Sequence, residues 1–312
     1  MHTITNNNLR NIQLHMQDCT LCPRNCHVNR TDGQIGYCGQ SAEITAARAA
    51  LHFWEEPCIS GTKGSGTVFF SGCNLRCVFC QNHDIALGKK GKPVSLGHLA
   101  DIFLKLQELG AHNINLVTPS HFIPQICFAL EKAKTMGLHL PIVYNTGSYE
   151  KVSSLRMLDG LIDIYLPDLK YFSPDLSLRH SQAENYFEIA ASAIAEMYRQ
   201  VGSPQFAPDT EIMTKGMIVR HLLLPGQTRD SKKVLRYLHE TYGNDILVSI
   251  MNQYTPLSPV HSIPELNRRV TEDEYTRVVT FAKNIGITSG FLQEGDAADE
   301  SFIPPFNFEG LL

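Results

Sequence analysis

No stretch of this chain approaches the roughly 18 consecutive apolar residues that a membrane-spanning helix requires. Its start, Met1-His2-Thr3-Ile4-Thr5-Asn6-Asn7-Asn8, is polar and lacks the apolar core of a signal peptide. Excess charge is also scarce. The 27 Lys and Arg against 31 Asp and Glu leave a net charge of −4, too little for the electrostatic footprint of a nucleic-acid or anionic-membrane binder. These absences predict a soluble, cytoplasmic protein with no nucleic-acid and no membrane partner. The glycines at 61, 64 and 66 are not followed by the Gly-Lys-Ser/Thr ending of a phosphate loop, which argues against that use of them. No convincing nucleophile or carboxylate pair stands out either. At 43% hydrophobic and 19% charged, the 312 residues have the composition of an ordinary globular protein, long enough to bury one large core with an appendage.

What the chain does have is cysteine, nine in all and seven of them in two tight groups. In a cytoplasmic protein such grouping suits metals better than disulfides. The more telling group is Ser71-Gly72-Cys73-Asn74-Leu75-Arg76-Cys77-Val78-Phe79-Cys80. Three thiols at CxxxCxxC spacing can each ligate one iron of a 4Fe–4S cube and leave the fourth iron open to a small molecule. Spacing alone also allows a zinc site completed by Cys58 or His83. The second group, Cys19-x2-Cys22-x3-Cys26-x11-Cys38, sets four thiols within 20 residues, with turns at Pro23, Gly33, Gly36 and Gly39. Such a segment is too short and polar to fold on a core of its own, so a metal would supply much of its stability. Four soft thiolates select zinc or an iron–sulfur cluster over calcium or magnesium, and the spacing does not choose between those two. His27 reads as a solvated turn residue. Cys127, within Ile126-Cys127-Phe128-Ala129-Leu130, and Cys58, within Trp54-Glu55-Glu56-Pro57-Cys58, read as packing residues.

Residues 1–60 read as turn-rich. From Gly66 onward, β-branched and apolar runs alternate with amphipathic helical stretches. The pattern predicts strands at Thr67–Ser71, Asn113–Thr118, Pro141–Asn145, Leu161–Leu166, Met217–Leu223 and Ile246–Met251. A short extended segment follows at Phe291-Leu292-Gln293-Glu294. Ser95 is placed to cap a helix whose Leu99, Ile102, Phe103 and Leu106 share one face, and Gly110 to end it. Ser181 with Glu184, and Thr271 with Glu274, have capping-box spacing, and Gly243 and Gly286 stand where helices stop. Repeated strand–helix units imply a parallel sheet with right-handed crossovers, either a partial barrel or a doubly wound sheet.

The glycine-rich lead Gly64-Ser65-Gly66, the apolar strand Thr67-Val68-Phe69-Phe70, the three cysteines on the following loop, and Phe79 just before the last thiol together resemble the radical S-adenosylmethionine (radical SAM) superfamily. The flanks, from Gly64 through Cys80-Gln81-Asn82, resemble its glycyl-radical activating-enzyme branch, to which pyruvate formate-lyase activating enzymes belong. The resemblance implies an α/β fold, a partial (β/α)6 barrel over residues 61–312, with a small Cys-rich N-terminal appendage over residues 1–60. It implies a 4Fe–4S cluster on Cys73, Cys77 and Cys80, with S-adenosylmethionine chelating the open iron. One-electron cleavage would then give a 5′-deoxyadenosyl radical that abstracts hydrogen from a substrate.

Chemistry in such barrels gathers at the C-terminal ends of the strands. By resemblance, the backbone near Phe79 contacts adenine, and Asn82, Asp168 and Lys170 help to hold the cofactor, the last two in the Asp-Leu-Lys element of activating enzymes. The Gly-Gly-Glu run common to the family after the second strand is absent here, where Thr118-Pro119-Ser120-His121 stands, so Thr118 and Ser120 are the candidate substitutes. Asn145, in Asn145-Thr146-Gly147, suits a ribose or carboxylate, and Asn252 or Gln253 stands where activating enzymes place a histidine. Of the adjacent Arg220 and His221, only one can face inward. The implied partners are an external one-electron reductant of flavodoxin or ferredoxin type and a glycyl-radical enzyme as protein substrate. Pyruvate formate-lyase activating enzyme lacks the N-terminal thiols, so a small-molecule or peptide substrate stays open. So does a non-catalytic iron–sulfur or zinc metalloprotein.

Overall fold

The computed structural model describes residues 2–257, 260–293 and 303–311. Its strands are β1 (Ile44–His52), β2 (Ser65–Phe70), β3 (Lys92–Val94), β4 (Ile114–Val117), β5 (Ile142–Thr146), β6 (Ile164–Pro167), β7 (Gln205–Phe206), β8 (Met213–Leu222), β9 (Leu247–Met251) and β10 (Gly290–Leu292). They lie in the order β10-β9-β8-β6-β5-β4-β2-β1-β3, with β7 paired on β8. From β2 to β10 every neighbour along that order is parallel, whereas β1 pairs antiparallel with both β2 and β3. This is an open α/β barrel with helices on its outer face. The six sequence-read strands appear with ends moved by a few residues.

A period of two sorts the strand residues by face. Val68, Phe70, Ile114, Leu116, Ile142, Tyr144 and Tyr165 join the large core beneath the helices. Their neighbours Thr67, Asn115, Asn145 and Ser249 are buried polar residues. The barrel interior therefore carries buried polar residues beside apolar ones such as Val143, Leu166 and Ile218, where many parallel sheets are apolar on both faces. Helix Leu96–Glu108 shows how the outer layer attaches. Ser95 Oγ accepts from the His98 N–H at 3.2 Å, and Leu99, Ile102, Phe103 and Leu106 are buried. Each of those side chains contributes roughly 2 kcal/mol by leaving water. Thr271 and Glu274 form the expected capping box, and Gly243 and Gly286 end their helices.

Three readings require correction. Ser181 caps nothing. It ends the helix Pro174–Ser181, its hydroxyl is taken by Tyr171 and Cys77, and the next helix starts at Tyr186 behind Asn185. Residues 44–52, read as turn-rich, form β1, paired between β2 and β3. Its alanines hid the alternation, because alanine carries little hydrophobic signal on either face. Residues 2–17 form a helix that the polar sequence did not announce. Of the segment 291–294, Phe291 and Leu292 lie in β10 and Glu294 falls outside the described residues. Among the described residues, no helix is long and apolar enough to cross a membrane.

Two non-barrel segments close the structure around the site. Helix Pro57–Ser60 plugs the barrel floor, where Cys58 and Ile59 pack against Val143, Ile164, Leu166 and Ile218. The Cys-rich segment lies on the opposite rim. Arg30, 1% exposed, anchors it by donating from Nε and Nη2 to Ser41 O, at 3.1 and 2.6 Å, and from Nη1 to His121 O at 2.6 Å. Arg30→Ala would leave buried carbonyls unpaired and remove a packed side chain, so a loss of roughly 3 kcal/mol is expected. Urea unfolding measures it, and an unchanged midpoint would show that the segment is held without this residue.

Candidate active site

The three thiols of the CxxxCxxC stretch sit on the loop that leaves the C-terminal end of β2. Four backbone-directed bonds hold the loop. The Gly72 N–H donates to Ile85 O (2.8 Å), Asn74 Nδ2 to Tyr149 O (2.6 Å), the Val78 N–H to His180 O (2.9 Å) and Arg24 Nε to Asn74 O (2.8 Å). Cys77 is buried, and Cys73 and Cys80 are half-buried. The Leu75 N–H donates to Cys73 Sγ at 3.3 Å and Ser181 Oγ to Cys77 Sγ at 2.9 Å. Burial pushes the Cys80 thiol up to about 12 and raises that of Cys73, each reinforced by neighbouring sulfurs of the set. Loading a metal there must therefore release protons.

Phe79 points its ring into an aromatic cage of Tyr171, His180 and Tyr254, with centroids at 6.3, 6.4 and 6.2 Å. A cavity of about 400 Å³ opens over the loop, and all three cysteines line it together with Phe79, Asn82, Thr118, Ser120, Asn145, Asp168, Lys170 and Gln253. Of the barrel residues singled out from the sequence, these border one space with Arg220, whereas Asn252 and His221 do not line it. The strand ends deliver them: β2 the loop, β4 Thr118 and Ser120, β5 Asn145, β6 Asp168 and Lys170, and β9 Gln253.

Arg220 is the centre of the charge in this cavity, and His221 is the outward member of the pair, with Nδ1 2.7 Å from Leu169 O. Arg220 donates from Nε to Asp168 Oδ1 (2.9 Å), from Nη1 to Glu55 Oε2 (3.0 Å) and from Nη2 to Asn145 Oδ1 (2.6 Å). Lys170 Nζ reaches Asp168 Oδ2 at 2.6 Å. Burial opposes every one of these charges, but the flanking Lys170 and Arg220 still hold the Asp168 carboxyl below its ordinary value. Asp168 likewise holds Lys170 and Arg220 above theirs despite burial.

Glu55, Trp54 and His52 also line the cavity, and the sequence reading did not select them. His52 ends β1, and Trp54 and Glu55 come from the turn between β1 and the floor helix. No motif marks them, although two adjacent glutamates beside a proline and a cysteine were the available hint.

Glu150 was missed as well. It is buried beneath Ser120 and Thr146, and its Oε1 accepts from Ser120 Oγ, Thr146 Oγ1 (2.6 Å) and Tyr144 OH (3.3 Å) while Oε2 has no partner. Burial pushes its carboxyl up to about 7, against the hydroxyl bonds that favour the anion.

The residues fit a thiolate-bound cluster by donor chemistry. Three soft sulfurs share a buried loop, and a lysine ammonium stands close enough to pull on Cys73 and Cys80. Among the described residues, no three Cys, His, Asp or Glu side chains close on a single point as they would around one ion. The ligands of a cube stand farther apart than that, since each takes a different iron. The N-terminal Cys19, Cys22 and Cys38 are buried and Cys26 is half-buried. Burial raises the Cys22 and Cys38 thiols, and the nearby sulfurs add to it, Cys38 and Cys19 at Cys22 and Cys19 and Cys26 at Cys38. Cys127 donates to Met157 O at 3.3 Å in the packed layer. His27 pairs with Asp18 in solvent.

Glu150 makes a testable contribution to stability. The folded chain holds its proton up to about 7, whereas an unfolded glutamate releases it near 4.5. The contribution is therefore full below the unfolded value and is lost as pH rises through about 7. Glu150→Gln is expected to flatten the stability profile across that window, read by urea unfolding at a series of pH values. An unaltered profile would show that another group titrates there.

Comparisons with known proteins converge on one family. The chain is 28% identical over 279 residues to an uncharacterized protein of Methanocaldococcus jannaschii, covering 87% of this chain and 76% of that one. It is 28% identical over 182 residues to the pyruvate formate-lyase-activating enzyme of Listeria monocytogenes, covering 55% of this chain and 67% of that one. Its fold is similar to the crystal structure of HydG, a maturase of the FeFe-hydrogenase, with a TM-score of 0.51 at 13% identity over 74% of this chain; the chain spans about half (52%) of that protein's length. Residues 67–238, more than half of the chain and running from within β2 into the helix before β9, match the radical SAM superfamily, and the protein belongs to that superfamily.

Proposed function

We propose that the protein binds a 4Fe–4S cluster through Cys73, Cys77 and Cys80, holds S-adenosylmethionine in the cavity above it, and generates a hydrogen-abstracting radical, with a glycyl-radical enzyme as the first-choice substrate. The observation that carries this reading is the meeting of the CxxxCxxC loop with Asp168, Lys170 and Arg220 in one cavity. When bound, cluster and S-adenosylmethionine supply a one-electron reductive cleavage whose product after hydrogen abstraction is 5′-deoxyadenosine.

The chain's own residues bind, orient and exclude water. Three thiolates anchor three irons, and no fourth side chain of the loop competes for the remaining one. Lys170 presents an ammonium that can take a carboxylate, and Asp168, held by Arg220, aims it. Asn145, Thr118, Ser120 and Gln253 offer hydrogen bonds to ribose and methionine groups, and Asn82 lies beside the last thiol. The Phe79 segment, fixed by its aromatic cage, offers an edge for adenine. The floor helix packs its Cys58 and Ile59 into the barrel below, with Glu55 in the turn before it paired to Arg220.

A glycyl-radical enzyme as substrate is supported by the likeness to the Listeria activating enzyme and by the Asp168-Leu169-Lys170 element. A small-molecule or peptide substrate is favoured by the Cys-rich N-terminal segment, which the sequence analysis marks as a departure from activating enzymes.

Anaerobic reconstitution with iron and sulfide, followed by dithionite and S-adenosylmethionine, is expected to yield 5′-deoxyadenosine from the wild type. Cys77→Ala is expected to yield none while keeping its far-ultraviolet circular dichroism. Turnover by that variant would remove the ligand assignment. Lys170→Ala is expected to weaken S-adenosylmethionine binding about ten- to hundredfold, the worth of a charged hydrogen bond, with iron content unchanged. Calorimetric titration decides it, and equal affinity would make Lys170 a structural partner of Asp168 alone.

A further inference from the structure

The N-terminal thiols do not form an independent lobe. Their segment is pressed on the CxxxCxxC loop. Gly72, the residue before Cys73, lies so close to the Cys38 carbonyl that a Cβ there would stand 2.5 Å from the oxygen; its φ is +88°, a conformation open to glycine. Tyr37 joins the two groups physically. Its N–H donates to Cys26 Sγ at 3.2 Å, and its hydroxyl is shared between Gln182 Oε1 at 3.1 Å and Leu75 O at 3.3 Å, the latter between Cys73 and Cys77. Two guanidinium groups stand over its ring, Arg24 at 3.9 Å and Arg76 at 5.0 Å, and Arg24 in turn donates to Asn74 O.

A structural staple has no need of this placement. The segment is already held on the barrel by Arg30, Arg24 and the bond from Ser154 Oγ to Leu21 O at 2.7 Å. The N–H that Tyr37 donates to the Cys26 sulfur, at 3.2 Å, is one of the contacts by which a protein sets a cluster's potential. Resting on the reading that Cys73, Cys77 and Cys80 hold a cluster, we infer that Cys19, Cys22, Cys26 and Cys38 bind a second, fully ligated 4Fe–4S cluster that relays single electrons to the first. One electron enters from a low-potential donor of flavodoxin or ferredoxin type and reduces the outer cluster. The outer cluster is reoxidised as the inner one is reduced. No covalent bond forms or breaks and no proton moves.

The test uses the full chain, reconstituted anaerobically with ferrous iron and sulfide, beside Cys19→Ser/Cys22→Ser and Cys77→Ala variants. Iron, sulfide and zinc are counted per chain, and dithionite-reduced samples are read by electron paramagnetic resonance. The expected result is two clusters' worth of iron in the wild type, one in each variant, and a spectrum split by two coupled paramagnets in the wild type alone. Zinc retained in the four-thiol site, or an iron count that Cys19→Ser/Cys22→Ser leaves unchanged, overturns the second cluster. The count and the splitting are read on the unmodified chain, so a variant that fails to fold does not remove the test.

Reduced flavodoxin is expected to support 5′-deoxyadenosine formation by the wild type and not by Cys19→Ser/Cys22→Ser, while dithionite, small enough to reach either cluster, supports both. Equal rates with flavodoxin overturn the relay. A wild type with two coupled clusters and no 5′-deoxyadenosine from any donor would instead refute the radical reading and leave the second cluster standing.

Discussion

A guanidinium inside a barrel must be answered on all sides. Arg220 is 12% exposed, and taking such a charge from water costs several kcal/mol unless its donors are met. Asp168, Glu55 and Asn145 meet them, and Lys170 then answers the second oxygen of Asp168. The network ties β8, β6 and β5 to the turn after β1. Because Glu55 is one of its members, the chain between β1 and β2 must dip into the barrel, and the helix Pro57–Ser60 becomes the floor. The charged cavity and the floor beneath it are two consequences of one set of ion pairs.

The same network orients the groups that face the cavity. Lysine alone is a flexible point charge. Gripped by a carboxylate that an arginine already holds, it presents its remaining donors in a narrow range of directions. Pre-orientation of this kind keeps cofactor binding from costing further side-chain entropy. In the proposed reaction, cluster and cofactor carry the chemistry, and the protein's share is direction and dryness. Ion pairs, aromatic cage and floor supply both.

The cysteine loop depends on a different kind of support. Its bonds run chiefly to carbonyls on neighbouring segments, including Ile85, Tyr149 and His180, so its shape is set by backbone positions. The N-terminal segment adds Arg24 and Tyr37 from outside. Two thiol groups remote in sequence thereby share one scaffold, which gives the appended segment a physical reason to sit where it does.

Much of this was legible in the residues themselves. The spacing of Cys73, Cys77 and Cys80 restricts the chemistry before any fold is known, because ligand number and type decide what a site can bind. The Asp168–Lys170 pair was readable because residues two apart in a strand face the same way. Strands β2, β4, β5, β6, β8 and β9 announced themselves by apolar, β-branched runs, whereas the short β3 and β7 did not. Other features carry no local mark. Ser181 has the spacing of a cap and serves instead as a donor to Cys77, since a hydroxyl takes whichever partner the fold brings near. β1 hid in a run of alanines. The choice between Arg220 and His221 rested on strand register, and Glu55 and Glu150 gained their places through contacts spanning up to 165 residues. Local sequence determined the metal chemistry, the strand–helix alternation and the helix caps, all interactions within a few residues. Only the tertiary structure decided which charges pair, which side chains face the cavity and how near the two thiol sets lie, because those depend on segments that meet only when the barrel forms.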